Sequence, residues 1–477
     1  MKYTFKKQIW LLLLASATLA SCNNFIDRLP ENSVEASTVD YTNLADMYKP
    51  VSGVYAVANS KLSFWGELGL MVVRGDDANK GSNPNDQIEF QYCKDFQYDK
   101  IKSYWALNSS WEGLYNIVST ANATLISLEK YGENVKTDAD RKNLAQYSAE
   151  VRFLRGYAFY RITQLWGAAP LLIDNQQLNL TKSSKDDVHK FIQSEMNYCV
   201  SNLPDQRPNQ NVNPGAVTKY SALMLKAKLA LLDGDYNLVL SATNDIINSN
   251  KFNLYSDYYQ LFKIPGKLSN ESLFELQFTD FGTASGQSVT SDAWFAFQGP
   301  RSGTGFIQGW GFMTPSQSIR TFLTSRNDSV RAKTTFMYTN ASTPSGDWIN
   351  PGQPGEPDCY NGKAYTPSNQ MTPGRTDYGM NNNIRVFRYA DVLLMNAEAK
   401  VRLGQNGDSP LNLVRQRAKL SSLTNATVDQ ILDERKAEFA MEWGDRFFDL
   451  LRTGKLPAGA EYYPIPQNQI DLNPNLK

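Results

Sequence analysis

Histidine is almost absent from this chain: His189 is the only one in 477 residues. That scarcity argues against Ser-His-Asp hydrolases and histidine-ligated zinc enzymes, which place an imidazole at the reacting centre. His189 follows Lys185-Asp186-Asp187 and reads as a solvated or locally paired imidazole. Cysteine is nearly as rare, and the four residues Cys22, Cys93, Cys199 and Cys359 have no metal-type spacing. No sign of charge dominates, with 48 basic against 48 acidic residues. Such balance argues against nucleic acid or an anionic lipid surface as partner. Long apolar runs are missing as well. Beyond the N-terminus no segment has the ~18 uninterrupted apolar residues of a membrane-spanning helix.

The N-terminus itself is informative. Lys2, Lys6 and Lys7 precede an apolar stretch, Ile9 to Ala20, and small residues lead into Cys22. This is the pattern of a secretory signal peptide, residues 1–21. Its apolar core is well short of the ~20 residues that cross a bilayer as a helix. Leu19-Ala20-Ser21-Cys22 resembles the bacterial lipobox, in which the cysteine is acylated and becomes the mature N-terminus; an ordinary secreted protein cut near Ser21 is the alternative. More than one acyl chain, at ~0.8 kcal/mol per buried CH₂, holds a soluble domain on a membrane. Removing residues 1–21 takes away three lysines and no acid, leaving 45 against 48. With Cys22 committed to lipid, the other three cysteines form at most one disulfide.

Residues 22–40 are polar and read as a tether. Helical periodicity dominates afterwards. Apolar residues recur at helical spacing over 105–130, 143–166 and 185–203. Residues 214–250 read as a helical hairpin, opened by Pro214 and broken at Asp233-Gly234-Asp235-Tyr236, and resemble a tetratricopeptide-type unit. Residues 389–418 look like a degenerate second copy, and such hairpins must stack to bury their faces. A further helix is expected from about Thr427 to Trp443, with Thr427 and Gln430 as a capping box and Gly444 as its C-terminal cap. Between these blocks, residues 280–313 are rich in Gly, Ser and large aromatics, and residues 340–383 in Pro, Gly and Asn. Long aperiodic loops of this kind are often functional. The expected architecture is a mostly α helical scaffold carrying elaborate loops.

Glu150-Val-Arg-Phe-Leu-Arg-Gly-Tyr-Ala-Phe-Tyr160 with Leu165-Trp-Gly-Ala-Ala-Pro170 resembles the SusD/RagB family of Bacteroidetes surface lipoproteins. Further matches follow in order: Gly234-Asp-Tyr236, Asn270-Glu-Ser-Leu-Phe-Glu275, Gly309-Trp-Gly311, Arg388-Tyr-Ala-Asp391 and Arg446-Phe-Phe-Asp449. Tyr463-Pro-Ile-Pro-Gln467 closes the series. The resemblance implies a SusD-like fold over 41–477, with an N-terminal region of about 41–215 and a C-terminal region of about 216–477. Four tetratricopeptide-type helix pairs would support a loop-rich ligand-binding face. It also implies a non-enzymatic role at the outer membrane. The protein would capture oligosaccharides and deliver them to a SusC-like TonB-dependent transporter; the RagB branch does the same with peptides.

Sugar recognition needs a flat ring for the apolar C–H face and Asn, Asp or Arg for the hydroxyl girdle. Trp supplies that area at low entropy cost. Trp294, in Ser291-Asp-Ala-Trp-Phe-Ala-Phe297, is the leading candidate platform, followed by Trp65 and Trp310. Trp105, Trp111, Trp166 and Trp443 fall on helical patterns and read as mostly core. Arg74 could serve as a fork donor to ligand, and Asp77 as a direct hydrogen-bond partner. Asp76, Asp77 and Asn79 have a faint calcium-loop character, without the twelve-residue pattern or its closing Glu. Glu434, Glu438 and Glu442 share a helix face at a spacing that a glycosidase pair would tolerate. With Arg435, Lys436 and Arg446 around them they read instead as ion-pairing residues.

Overall fold

The computed structural model describes residues 39–282, 293–303, 307–375 and 378–477. The signal sequence, Cys22, Ser291, Asp292 and Phe306 lie outside the described residues. The fold is mostly helical. Helices α1 (Lys49–Leu62), α2 (Trp65–Val72) and α3 (Glu89–Lys94), with strand β1 (Ala78–Gly81) between the last two, lead into the long α4 (Trp105–Gly132) and α5 (Asp138–Trp166). Then come α6 (Lys185–Asn202), α7 (Lys219–Asp233) and α8 (Tyr236–Asn248). Successive helices from α4 to α8 pack on one another, and α12 (Tyr389–Arg402) continues the stack against α8. Helix α13 (Asp408–Arg417) and α14 (Val428–Phe439) both pack on α12, and α15 (Asp445–Arg452) packs on α14.

Local chemistry sets the helix ends. Thr137 and Asp140 form a reciprocal capping box at the start of α5. The Ser184 hydroxyl accepts the Asp187 N–H at 3.1 Å to open α6. Thr218 and Ser221 cap α7, so that helix starts at Lys219 rather than at Pro214, and Gly234 ends it in the left-handed region at φ 74°. The expected Thr427–Gln430 capping box opens α14. That helix stops at Phe439 rather than Trp443, and Gly444 is the N-cap of α15 at φ 81°. The reason is close approach: a Cβ on Gly444 would lie 2.5 Å from the Met71 carbonyl oxygen.

Among the described residues the loop-rich half is fastened by four two-stranded antiparallel ladders. They join β1 to β3 (Phe312–Pro315), β2 (Ser272–Leu276) to β8 (Ile384–Arg388), β4 (Phe336–Tyr338) to β7 (Cys359–Asn361), and β5 (Ala341–Ser342) to β6 (Trp348–Ile349). Short helices α9 (Trp294–Gln298), α10 (Gln317–Ser325), α11 (Ser329–Thr335) and α16 (Gln467–Leu472) fill the connections.

Buried charge welds the two halves together. Arg331 of α11 binds Asp328, Glu434 and Glu438. Arg388 binds Glu271, Glu438 and Glu442, and Arg417 binds Glu271 and Glu438. Arg435 spans Asp391 and Asp449. Each ion has several partners, which offsets the cost of removing it from water. Cys93, Cys199 and Cys359 are all buried free thiols. His189 is buried rather than solvated. Its Nδ1 lies 2.8 Å from Asp233 Oδ1 and its Nε2 3.2 Å from Thr163 Oγ1. The Thr163 hydroxyl donates to the Tyr160 carbonyl at 3.0 Å, so this trio holds helices together and presents no activated nucleophile.

Candidate functional site

Two of the proposed rings, Trp65 and Trp310, meet at the surface, and a third joins them. Trp65 at the start of α2 lies 5.6 Å from Trp310, edge to face, and 5.2 Å from Trp105. Trp105 is 43 % exposed and Trp310 39 %, with Trp65 half-buried between them. Phe64 closes one side, 5.9 Å from both Trp65 and Trp105. Beneath the indoles lie Phe90, Phe297 and Phe312, and the last two stack at 4.8 Å. Edge-to-face packing of this kind fixes ring directions as well as burying area.

Backbone geometry holds Trp310 in place. Its N–H donates to the Ala296 carbonyl at 2.8 Å, with Gly309 N–H to Pro300 O and Gly311 N–H to Gly299 O on either side. A Cβ on Gly309 would sit 2.4 Å from Gly299 Cα, and Gly311 adopts φ 75°. Only glycine lets two backbones meet this closely, so the Gly-Trp-Gly segment is the mount for an outward indole. Trp105 is fixed differently. Its Nε1–H donates to Gln87 Oε1 at 3.2 Å, and the same oxygen accepts the Tyr104 hydroxyl at 2.7 Å.

A polar rim accompanies the rings. Residues 83–86 (Asn-Pro-Asn-Asp) are exposed, and Lys80 clamps their loop by donating to the Asn83 and Asp86 carbonyls at 2.7 and 2.8 Å. Arg301 donates to Ser82 Oγ at 3.3 Å from the side of Trp310's own segment. Asn108 follows Trp105 on the same face of α4. Flat exposed rings edged by amides and a carboxylate can stack on a pyranose and hydrogen-bond its hydroxyls.

The other proposed residues lie elsewhere. Trp294 is only 8 % exposed, packed on Phe295 and on Trp443 at 5.5 Å, and it lines a cavity of about 30 Å³, room for a water and not a sugar. Arg74 is buried between the Phe447 and Tyr463 rings, at 3.8 and 4.4 Å, and donates to the Glu461 and Gln164 carbonyls. It fastens the C-terminal segment to α2 and α5. Asp77 is buried and accepts the Met441 N–H at 2.9 Å, and burial raises its pKa. Asp76 is half-buried. Burial pushes its carboxyl up, yet Arg446 and Lys436 outweigh that and hold it at about 2. Asn79 is exposed on β1. Among the described residues no group of three His, Cys, Asp or Glu side chains is placed to hold a metal.

Trp105 joins the surface cluster although its sequence reading placed it in the core, and a signal to the contrary existed. One turn on from it stand Asn108 and Ser109, and two turns on Glu112, a polar face at helical spacing. Trp111 faces the other way, with Leu107, Leu114 and Val118, all buried.

Comparison with known proteins settles the family. Residues 358–460 match the SusD family, and residues 24–231 match the family described as starch-binding associating with outer membrane. The chain belongs to the SusD family. A SusD-like protein of Bacteroides ovatus is 26 % identical over 492 residues, covering 94 % of this chain and 83 % of that protein. Among solved structures, surface glycan-binding protein A from Bacteroides thetaiotaomicron in complex with laminarihexaose superposes with a TM-score of 0.74. It is 23 % identical, with 90 % of this chain and 97 % of that one covered. A structure solved with a xylogluco-oligosaccharide gives a TM-score of 0.75 at 21 % identity, covering 91 % and 98 %. SusD-family binding proteins are non-enzymatic. The carboxylates of α14 accord with this. Burial would raise Glu438, but Arg417, Arg331 and Arg388 outweigh it and hold its pKa at about 2. A proton donor to a leaving group needs the opposite shift. No helix among the described residues is long and apolar enough to cross a membrane.

Proposed function

We propose that this SusD-family protein captures oligosaccharides at the cell surface by stacking them on Trp65, Trp105 and Trp310, and passes them to a SusC-like TonB-dependent transporter. The observation that carries the reading is the paired exposure of Trp105 and Trp310 over a buried aromatic bed. Isolated hydrophobic rings on a surface need no explanation, but a fixed cluster with a polar rim does. The laminarin and xyloglucan fragments held by structural neighbours support a β-glucan or related neutral glycan as first choice. Acylation at Cys22 would anchor the domain in the outer membrane, which labelling with radioactive palmitate in the native host tests directly.

No bond is made or broken in this role. A ligand destined for inward release is held modestly, with dissociation constants from micromolar to millimolar, roughly −8 to −4 kcal/mol. Isothermal titration against a panel of neutral glycans and peptides tests the proposal. The expected result is glycan binding in that range that Trp310→Ala weakens. Peptide binding with no glycan response would move the protein to a RagB-like role, and nanomolar affinity would contradict capture for release.

A further inference from the structure

A concavity lies away from the tryptophan cluster, sharing none of its residues. One cavity of about 470 Å³ is lined by Tyr259, Phe336, Tyr338 and Tyr365, together with the hydroxyl residues Thr324 and Thr343. A neighbouring one of about 530 Å³ shares Tyr259, Lys333, Thr334 and Pro344 with it. The shared wall makes them one cleft between the 256–260 loop, α11 and the β5–β6 hairpin. A hydrogen bond of 2.8 Å from Tyr259 to Ser345 ties that hairpin across the cleft. Tyr338 is 44 % exposed at its edge. Rings and hydroxyls in a space this size suit a sugar unit, a volume within the usual range for ligand sites.

The charge of the cleft distinguishes it from the tryptophan platform. Lys333, Lys419 and Arg417 all line it. Among the described residues neither lysine has an ion pair or a hydrogen bond from its side chain. The Arg417 side chain is buried; its two terminal nitrogens bind Glu271 and Glu438, while its Nε–H has no acceptor among the described residues. A buried N–H left without an acceptor is costly unless something fills the place. The one acid among these lining residues, Asp257, accepts the Tyr259 and Gln260 N–H groups at 3.0 and 3.1 Å, both through Oδ1. Two unpaired lysines, Lys333 and Lys419, therefore face a hollow of aromatic and hydroxyl groups whose lining holds a single carboxylate, Asp257, while Arg417 beside them is already paired with Glu271 and Glu438.

We infer that this cleft is a second glycan site, and that it takes a negatively charged sugar unit, carrying a carboxylate or a sulfate ester. The anion lies between Lys333 and Lys419, and the ring packs against Tyr259 or Tyr338. The inference rests on the glycan-binding reading above but uses different residues, so the two can fail separately.

The test is titration of the mature chain with tetragalacturonate, with galactose 6-sulfate and with laminarihexaose. It is run on wild type, on the double variant Lys333→Gln/Lys419→Gln, and on Trp310→Ala. The lysines are exposed, so the double variant should keep its thermal midpoint. The expected result is that the double variant loses about tenfold in affinity for at least one acidic probe and none for the neutral one. Raising salt to roughly 0.5 M should weaken the acidic probe in wild type, because exposed charges are screened. A response to tetragalacturonate alone assigns a uronate, and to galactose 6-sulfate alone a sulfate ester. Failure of wild type to bind either acidic probe, or equal binding by the double variant, overturns the second site. Loss of every neutral glycan signal in wild type, with the acidic response intact and lysine-dependent, overturns the tryptophan platform instead.

Discussion

Helix α4 carries two tryptophans six positions apart that belong to different worlds. Trp111 is 5 % exposed, wedged against Trp166 at 5.0 Å in the helical scaffold, whereas Trp105 is 43 % exposed on the loop-rich face. The scaffold buries Trp111, and also charges such as Arg435 and Glu438, whereas the loop face exposes Trp105 and Trp310. The same residue type is thus structural where helix packs on helix and available where a helix end meets a loop. The proposed glycan platform lies at the boundary between the two regions.

The sharpest way to break the comparison is to attack the scaffold side. Glu438 accepts from Arg331 and Arg388, each at 3.0 Å, and also from Arg417. Glu438→Gln leaves these guanidinium groups short of a buried counter-charge, and should cost about 3–5 kcal/mol in chemical denaturation. Acid should act in the same direction on wild type. The folded pKa of about 2 is below the ordinary carboxylate value. The stabilisation is therefore complete above about pH 4.5 and is lost as pH falls from there towards about 2. A denaturation midpoint indifferent to the substitution would show that the network is ornamental. Trp111→Ala should cost a comparable amount, about 3–5 kcal/mol, by opening a cavity in the core.

A smaller effect of opposite sign is expected at Glu150. Burial raises this carboxyl to about 6, against hydrogen bonds from Gln146 and Tyr48 that favour the charged form. The folded state then holds a proton more tightly than the unfolded chain, so stability falls as pH rises from about 4.5 through 6. Glu150→Gln should raise stability at pH 7.5 by about 2 kcal/mol, and by almost nothing at pH 4. Urea titrations at the two pH values check both the size and the vanishing.

Much of the scaffold was readable because helices announce themselves by period and caps. The helices expected over 105–130 and 185–203 appear as Trp105–Gly132 and Lys185–Asn202, and the Thr427–Gln430 box is where its sequence placed it. What spacing could not supply was distance through space. Glu434, Glu438 and Glu442 do form ion pairs, but with Arg331, Arg388, Arg417 and Lys363 from remote segments. Lys436 and Arg446 go instead to Asp76, and Arg435 to Asp391 and Asp449. Arg74 and Asp77 sit in a polar-looking loop and are buried by a C-terminal segment hundreds of residues away. The surface cluster was half visible. Trp65 and Trp310 stood among the candidate platforms, while Trp105 was absorbed into a helix whose polar side it in fact shares.

That distinction yields the gentlest and most discriminating prediction. Trp105→Ala removes an exposed ring whose only hydrogen bond among the described residues goes to Gln87, so the thermal midpoint should hardly move. Glycan affinity should nevertheless fall about tenfold, roughly 1.4 kcal/mol, because one face of the stacking surface is gone. Trp105→Phe should recover part of it by restoring a flat ring without the Nε1–H. If Trp105→Ala binds a glycan as wild type does while Trp310→Ala does not, the platform shrinks to Trp65 and Trp310. If both variants bind normally and only Trp294→Ala fails, then the ring buried against Trp443 must become exposed when ligand arrives, and the boundary drawn between scaffold and site moves inward.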